Sequence, residues 1–266
     1  MVTTSCGVVH GSLAVMSRAG SASTEKAESV RRMFSEIAPT YDLLNSLLSL
    51  GVDARWRRQA ADAALEGRSA TGAHSGSRYQ VLDVATGTGK LAFAIKRICQ
   101  GCKVVGVDFA EPMLEVAKQG ANRNSLDIEF TVADGSALPY EGETFDAVTI
   151  AYGLRNFADP DAGLREFRRV LRPGGRLVVL EFPPPRPGFI GRLFRFYFTR
   201  VLPRLGGAVS GRRGAYAYLP ESVLNFFTPE GLTERMLGAG FVGVTYRLQT
   251  FGISALHVGH APTVTA

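Results

Sequence analysis

Between residues 79 and 182 the chain alternates short β-rich runs with segments of helical periodicity, and this restricts its architecture more than any other feature. The runs fall at 79–84, at 103–107 ending on Asp108, and at 128–133, 145–151 and 177–182. Between them, Leu91, Ile95 and Ile98 share a helical face, residues 111–119 have helical character, and Leu164, Phe167, Val170 and Leu171 share a face within 159–171. Strands separated by helices pair in parallel and need both faces of their sheet covered, which excludes a β-sandwich and a helical bundle. The alternation breaks at 183–220, opening with Pro183-Pro184-Pro185, and then resumes. Thr228-Pro229-Glu230 has the cap, first-position proline and first-turn acid of a helix start. Two further runs, 242–248 and 253–259, are close enough to form a hairpin. The predicted fold is α/β: a Rossmann-like sheet of seven strands, mostly parallel with a C-terminal antiparallel hairpin, and helices on both faces.

The rest of the 266 residues is arranged around this core. Residues 1–24 are rich in Ser, Gly and Ala with Arg18 as their only charge, and read as a disordered tail. Residues 25–266 read as one domain whose N-terminal part, 25–66, is a helical cover: Val30, Met33, Phe34 and Ile37 recur at helical spacing before a leucine-rich stretch and Trp56. No run reaches the roughly 18 apolar residues a membrane-spanning helix needs. Cys6, Cys99 and Cys102 are too few for a disulfide framework, which favours a reducing, cytoplasmic setting. Cys99 and Cys102 have redox or zinc-knuckle spacing, but a zinc site lacks a second ligand pair, so no metal site is expected and they read first as small residues at a helix-to-strand turn, with a redox role the lesser alternative. The net charge is +6, and its excess is local: 182–220 holds seven arginines and no acid.

The sharpest local signal is Asp83-Val-Ala-Thr86-Gly87-Thr88-Gly89, at the end of the first run and just before a helix. Glycines there let backbone approach a ligand closely. The third glycine of a dinucleotide fingerprint is Ala92, and no Gly-Lys-Ser/Thr follows, so a phosphate is disfavoured. Asp108 ends the second run, where a carboxylate can accept from two ribose hydroxyls or, taken alone, equally cap the helix that follows. Asp134, followed by Gly135, ends the third and is placed to meet an adenine amino group. Three acids closing three successive parallel strands line one crevice, and a nucleoside without phosphate resembles S-adenosylmethionine.

These residues, with Leu171-Arg-Pro-Gly-Gly175, resemble the class I methyltransferase core. More specifically, Phe34-Ser-Glu-Ile-Ala-Pro-Thr-Tyr41-Asp42-Leu-Leu-Asn45, Tyr152-Gly153-Leu154-Arg155-Asn156 and Leu180-Glu181-Phe182 resemble the quinone C-methyltransferases of menaquinone and ubiquinone synthesis, over about residues 28–260. The resemblance implies methyl transfer from S-adenosylmethionine to a ring carbon of a reduced prenylated quinone, with demethylmenaquinol the first candidate. It places cofactor contacts at Thr88, Asp108, Asp134, Gly135 and Ala151, and the turn residues Asp83, Gly87 and Gly89 complete the expected cofactor site. Two positions depart from the family pattern: Lys90 stands where Asp is common, and Ala151 where Ser is frequent.

A quinol carbon is a weak nucleophile until a neighbouring hydroxyl loses its proton, so such a site must stabilise a phenolate. Arg155 is the candidate stabiliser, as an electrostatic partner or holder of a proton-accepting water, and Asn156 orients that water or a quinol oxygen. Without the resemblance, Arg155 reads as paired with a surface acid and Asn156 as a turn cap. Tyr41 would close over the sulfonium, or is core packing. No histidine is an obvious base. The aromatic and basic stretch 186–213 suits an anionic membrane surface at the inner face of the plasma membrane, where a prenylated quinol is reached; a homodimer or core contact is the alternative. Its aromatics are too mixed with aliphatics for a nucleic-acid stacking platform. Other lipophilic phenols, a ubiquinone precursor, and a non-catalytic role in a quinone-synthesis assembly are the competing functional readings.

Overall fold

The computed structural model describes residues 51–67, 78–188 and 213–263, with Arg32, Ser35, Gly191, Arg192, Phe196 and Arg200 singly. The tail 1–24, most of the cover 25–66, including Tyr41, and most of the stretch 186–213 lie outside the described residues. The elements are α1 (Asp53–Leu65), β1 (Gln80–Val84), α2 (Lys90–Ile98), β2 (Lys103–Asp108), α3 (Glu111–Arg123), β3 (Glu129–Val132), β4 (Phe145–Ala151), α4 (Pro160–Val170), β5 (Leu171–Glu181), α5 (Arg213–Leu224), α6 (Pro229–Gly238), β6 (Val242–Gln249) and β7 (Ser254–His260). A 3-10 turn, Leu154–Asn156, follows β4.

The strands form one seven-stranded sheet in the order β3-β2-β1-β4-β5-β7-β6. The first five pair in parallel, and β7 pairs antiparallel with both β5 and β6. Strand order reverses between β1 and β4, so their C-terminal ends flank the crevice where open α/β sheets hold ligands. Side chains alternate across the sheet: Leu82 and Val84 of β1 join a core with α4 and α6 through Leu164, Phe167, Leu232 and Met236. Val81 joins the opposite core with Trp56, Ala60 and Ala64 of α1 and Leu91 and Ile95 of α2. The expected caps are present. Thr228 Oγ1 accepts from Gly231 N–H at 3.1 Å, and Asp159 caps α4 by accepting from Asp161 and Ala162 N–H.

Three boundaries differ from expectation for identifiable reasons. β5 begins at Leu171 rather than 177, because Leu171 pairs with Phe145; Arg172 to Gly175 then bulge out, with Gly174 at φ 76°, before Arg176 pairs with Ala147. Arg172 clasps Asp146 across this bulge at 2.8 Å. α3 runs on to Arg123 through Gly120, where a Cβ would lie 2.9 Å from the Phe93 ring, so the glycine admits close packing of α2. Cys99 and Cys102, read from sequence first as small turn residues, are joined by a disulfide that closes the α2–β2 turn, as their redox-type spacing allows.

Candidate active site

The glycine turn is built by alternating backbone handedness. Ala85, Gly87 and Gly89 have φ of 49°, 57° and 83°, and Gly89 leads directly into α2 by accepting from Phe93 N–H at 2.8 Å. Glycine is required at 89, since an added Cβ would lie 2.7 Å from the Phe93 ring. The two buried acids of the site do different work. Asp83 projects toward the α1/α2 face, where its oxygens accept from Thr149 Oγ1 at 2.7 Å and Thr86 Oγ1 at 2.6 Å. It is thus drawn into the turn and ties it to β4. Burial raises its pKa to about 6, against the lowering effect of the two hydroxyls.

Asp108 ends β2 with each oxygen accepting one backbone N–H, from Gly87 at 2.8 Å and Ala110 at 2.9 Å. Burial pushes its pKa up to about 6 as well, and no cation offsets that shift. A carboxylate oxygen accepts more than one hydrogen bond, so this arrangement favours neutral hydroxyl donors over a phosphate. Those second lone pairs, beside a turn whose Gly87 would meet nothing closer than 3.8 Å if it carried a Cβ, fit the ribose of S-adenosylmethionine. Asp134 lies two residues beyond β3, is exposed, and accepts from Ser136 N–H at 2.8 Å. Gly135 is buried, and a Cβ there would sit 2.4 Å from the Phe157 ring.

At the end of β4 the chain reverses. Ala151 is the last strand residue, and Tyr152 adopts φ 58°, a left-handed conformation costly for a bulky side chain. The reversal turns the Tyr152 carbonyl toward the next turn, where Arg155 Nη1 and Asn156 Nδ2 both donate to it, the latter at 3.4 Å. Tyr152 itself is clamped: its ring stacks on Phe182 at 4.4 Å, and the guanidinium of Arg57, on α1, lies over the Tyr152 ring 5.4 Å from its centroid. Burial raises its phenol well above the usual range.

The sequence reading of Arg155 needs correction. Its partner is not a surface acid but Glu181, at the end of β5, with Nη1 to Oε2 at 2.9 Å and side-chain exposures of 5% and 2%. Glu181 also accepts from the backbone N–H groups of Arg155 at 3.2 Å and Phe182 at 3.1 Å. Arg155 is therefore not a lone cation; its charge is balanced inside the protein. Its Nε–H, however, is buried without an acceptor among the described residues. Asn156 is more than a turn cap, because its Oδ1 accepts from the Tyr218 hydroxyl of α5 at 3.2 Å. Sequence reasoning assigned no role to Glu181, Tyr152 or Tyr218. Glu181 was findable as the acid that closes an apolar run, whereas nothing local marks Tyr152 for a left-handed backbone. Among the described residues no cluster of metal-binding side chains occurs.

Comparison with known proteins places this geometry. Residues 22–261 match the model of the ubiE/COQ5 methyltransferase family. A demethylmenaquinone methyltransferase of Thermus thermophilus is 56% identical over 230 residues, 86% of this chain and 100% of that protein. A ubiquinone/menaquinone biosynthesis C-methyltransferase of Geobacter sulfurreducens is 46% identical over 239 residues, 89% of this chain and 90% of that protein. Among solved structures, an S-adenosylmethionine-dependent methyltransferase of Thermotoga maritima superposes with a TM-score of 0.60 at 18% identity, over 86% of this chain and 98% of that one, a likeness of fold.

Proposed function

The chain belongs to the ubiE/COQ5 methyltransferase family, and on that footing we propose that it methylates a ring carbon of a prenylated demethylmenaquinol in menaquinone synthesis. The observation that carries this reading is the 56% identity to a demethylmenaquinone methyltransferase along that protein's whole length. When bound, S-adenosylmethionine supplies a methyl group on a sulfonium, open to attack by an electron-rich carbon. Asp108 would hold the ribose hydroxyls through its unused lone pairs, and Gly87, Thr88 and Gly89 would give close backbone approach. Asp134 and Gly135 would border the adenine, and Ala151, having no polar side chain, would contribute backbone. Asp83 keeps the turn in shape through Thr86 and Thr149.

The acceptor must be held as it becomes phenolate-like. The Arg155 Nε–H and the Asn156 amide N–H not given to Tyr152 are the donors suited to its oxygen or to a water beside it. Glu181 keeps Arg155 oriented and makes the pair neutral overall, so stabilisation here comes from directed N–H groups rather than net positive charge. Tyr41 would complete the cover on the cofactor side. The seven-arginine segment would rest on an anionic membrane surface, the protein working from the cytoplasm as a peripheral enzyme of the plasma membrane. No helix among the described residues is long and apolar enough to cross a membrane.

Incubation with methyl-labelled S-adenosylmethionine and a short-chain demethylmenaquinone under reducing conditions should label the quinol ring; absence of label overturns the reading. The name of the Geobacter relative favours one second reading, a ubiquinone precursor as acceptor. Competition between the two acceptors, with products identified by mass, decides between them.

A further inference from the structure

The hairpin between β6 and β7 turns through Thr250, Phe251 and Gly252, all left-handed, with φ of 44°, 57° and 89°. That conformation suits the glycine but is strained for Thr and Phe. The strain returns no burial within the chain, since Phe251 is 86% exposed, more than any other large apolar side chain among the described residues. β7 runs antiparallel to β5, and its first residues pair with Leu180 and Glu181, so the turn stands on the C-terminal rim of the sheet, the rim that carries the candidate site. α1 pins it there: Trp56 Nε1 donates to Thr250 Oγ1 at 3.0 Å, and Gln249 Nε2 donates to Gln59 Oε1 at 2.6 Å. Trp56 in turn meets Phe182 edge-on at 6.2 Å, beside the Arg155–Glu181 pair.

Among the described residues, the exposed charge nearest the tip is positive. Arg55 and Arg58 are exposed on the rim end of α1, and Arg247 is exposed on β6 two residues before Gln249. The acids at that end, Asp53 and Glu181, are buried and paired with Arg57 and Arg155. The exposed acid of α1, Asp62, lies about two turns beyond Arg55 and one turn beyond Arg58, on the side away from the rim. A single aromatic held out on a fixed turn and flanked by exposed arginines is the pattern of a contact with the headgroup boundary of an anionic bilayer.

The geometry points to the Thr250–Phe251–Gly252 turn as a membrane-docking tip: Phe251 enters the acyl boundary of an anionic bilayer while Arg55, Arg58 and Arg247 meet its headgroups, so that the mouth of the site faces the lipid. This deepens the proposed function and rests on it for the direction of the acceptor's approach. It is separate from segment 186–213, because it lies at the β6–β7 hairpin and on α1, and every residue in it is described.

The test uses the full chain and vesicles of phosphatidylglycerol and phosphatidylcholine, read by co-sedimentation without substrate. Phe251→Gly, which the left-handed backbone accepts, should bind about 30-fold more weakly, the partition factor for one buried phenylalanine. Phe251→Trp should retain binding, and Arg55→Gln with Arg58→Gln should weaken it about fivefold per arginine on these vesicles but not on pure phosphatidylcholine. Methyl transfer to a short-chain quinol in solution should be unchanged in Phe251→Gly. Unchanged vesicle binding by Phe251→Gly overturns the inference. So does a change in its sedimentation-velocity oligomeric state with vesicle binding intact, which would make the tip a contact between copies of the chain. A wild-type chain inactive on the short quinol would sink the acceptor assignment instead, and leave the vesicle result to decide the docking tip on its own.

Discussion

Replacing Glu181 with Gln tests whether the candidate site rests on a balanced buried pair. The substitution keeps the shape and an acceptor for the Arg155 backbone N–H, but removes the one carboxylate paired with its guanidinium among the described residues, at side-chain exposures of 5% and 2%. A buried cation left without its partner typically costs about 3–5 kcal/mol. At about 2–4 °C per kcal/mol for chains of this size, the melting temperature should fall by roughly 10 °C. Thermal denaturation followed by circular dichroism measures this. The double variant Arg155→Met, Glu181→Leu removes both charges and should recover most of the loss, since replacing a whole buried pair with apolar groups is often close to neutral. It should remain inactive, because the donors for the acceptor oxygen are gone. A Glu181→Gln protein that melts within about 2 °C of the parent, well inside the shift expected for an orphaned charge, would show that the pair is not buried as described and that Arg155 is free to act as a cation.

Three further outcomes are expected. Asp108 must be ionised to accept from ribose hydroxyls, and its pKa is raised to about 6; affinity for S-adenosylmethionine, followed by calorimetry, should fall about tenfold per pH unit below that value. Because that folded pKa lies above the ordinary one, Asp108 favours folding most at acid pH and loses this as pH rises through about 6. Asp108→Asn should therefore be more stable than the parent at pH 7.5, with the advantage shrinking toward pH 5, while its cofactor affinity drops by about 100-fold or more. Gly89→Ala should lose about 1–2 kcal/mol in urea unfolding from its left-handed φ of 83°, and more from displacement of Phe93. Tyr218→Phe removes the hydroxyl that fixes the Asn156 amide; kcat should drop about five- to tenfold with KM nearly unchanged, and equal loss in KM would show that Tyr218 binds substrate instead.

Much of the fold was readable because it rests on local and periodic information. Strand runs, the Thr228 cap and the glycine turn are set by neighbours in sequence, and all seven strands were found within a few residues. The start of β5 was missed because the pairing of Leu171 with Phe145 across a bulge depends on a strand 26 residues away, and its Pro-Gly-Gly reads locally as a stop. Asp108 stands at the strand end the spacing gave it, beside the Gly87 N–H. Asp83 could not be separated from it by pattern, since only the alternation of side chains across β1, with Thr149 opposite on β4, turns its carboxyl into the protein.

What the sequence determined by itself is the doubly covered parallel sheet, the crevice at its strand order reversal, and the residue types gathered there. Charge pairing was decided only by tertiary structure. Arg155 and Glu181 are 26 residues apart and sit on different elements, and their contact arises because β4 and β5 lie side by side with their C-terminal ends level. In low-dielectric surroundings a charge is defined by its nearest partner, so an arginine that reads in sequence, without the resemblance, as the partner of a surface acid becomes, in the fold, one half of a buried neutral pair whose Nε–H is left to give. The same holds for Phe251, an ordinary apolar letter in sequence, which a left-handed turn pinned by Trp56 lifts onto the rim of the site.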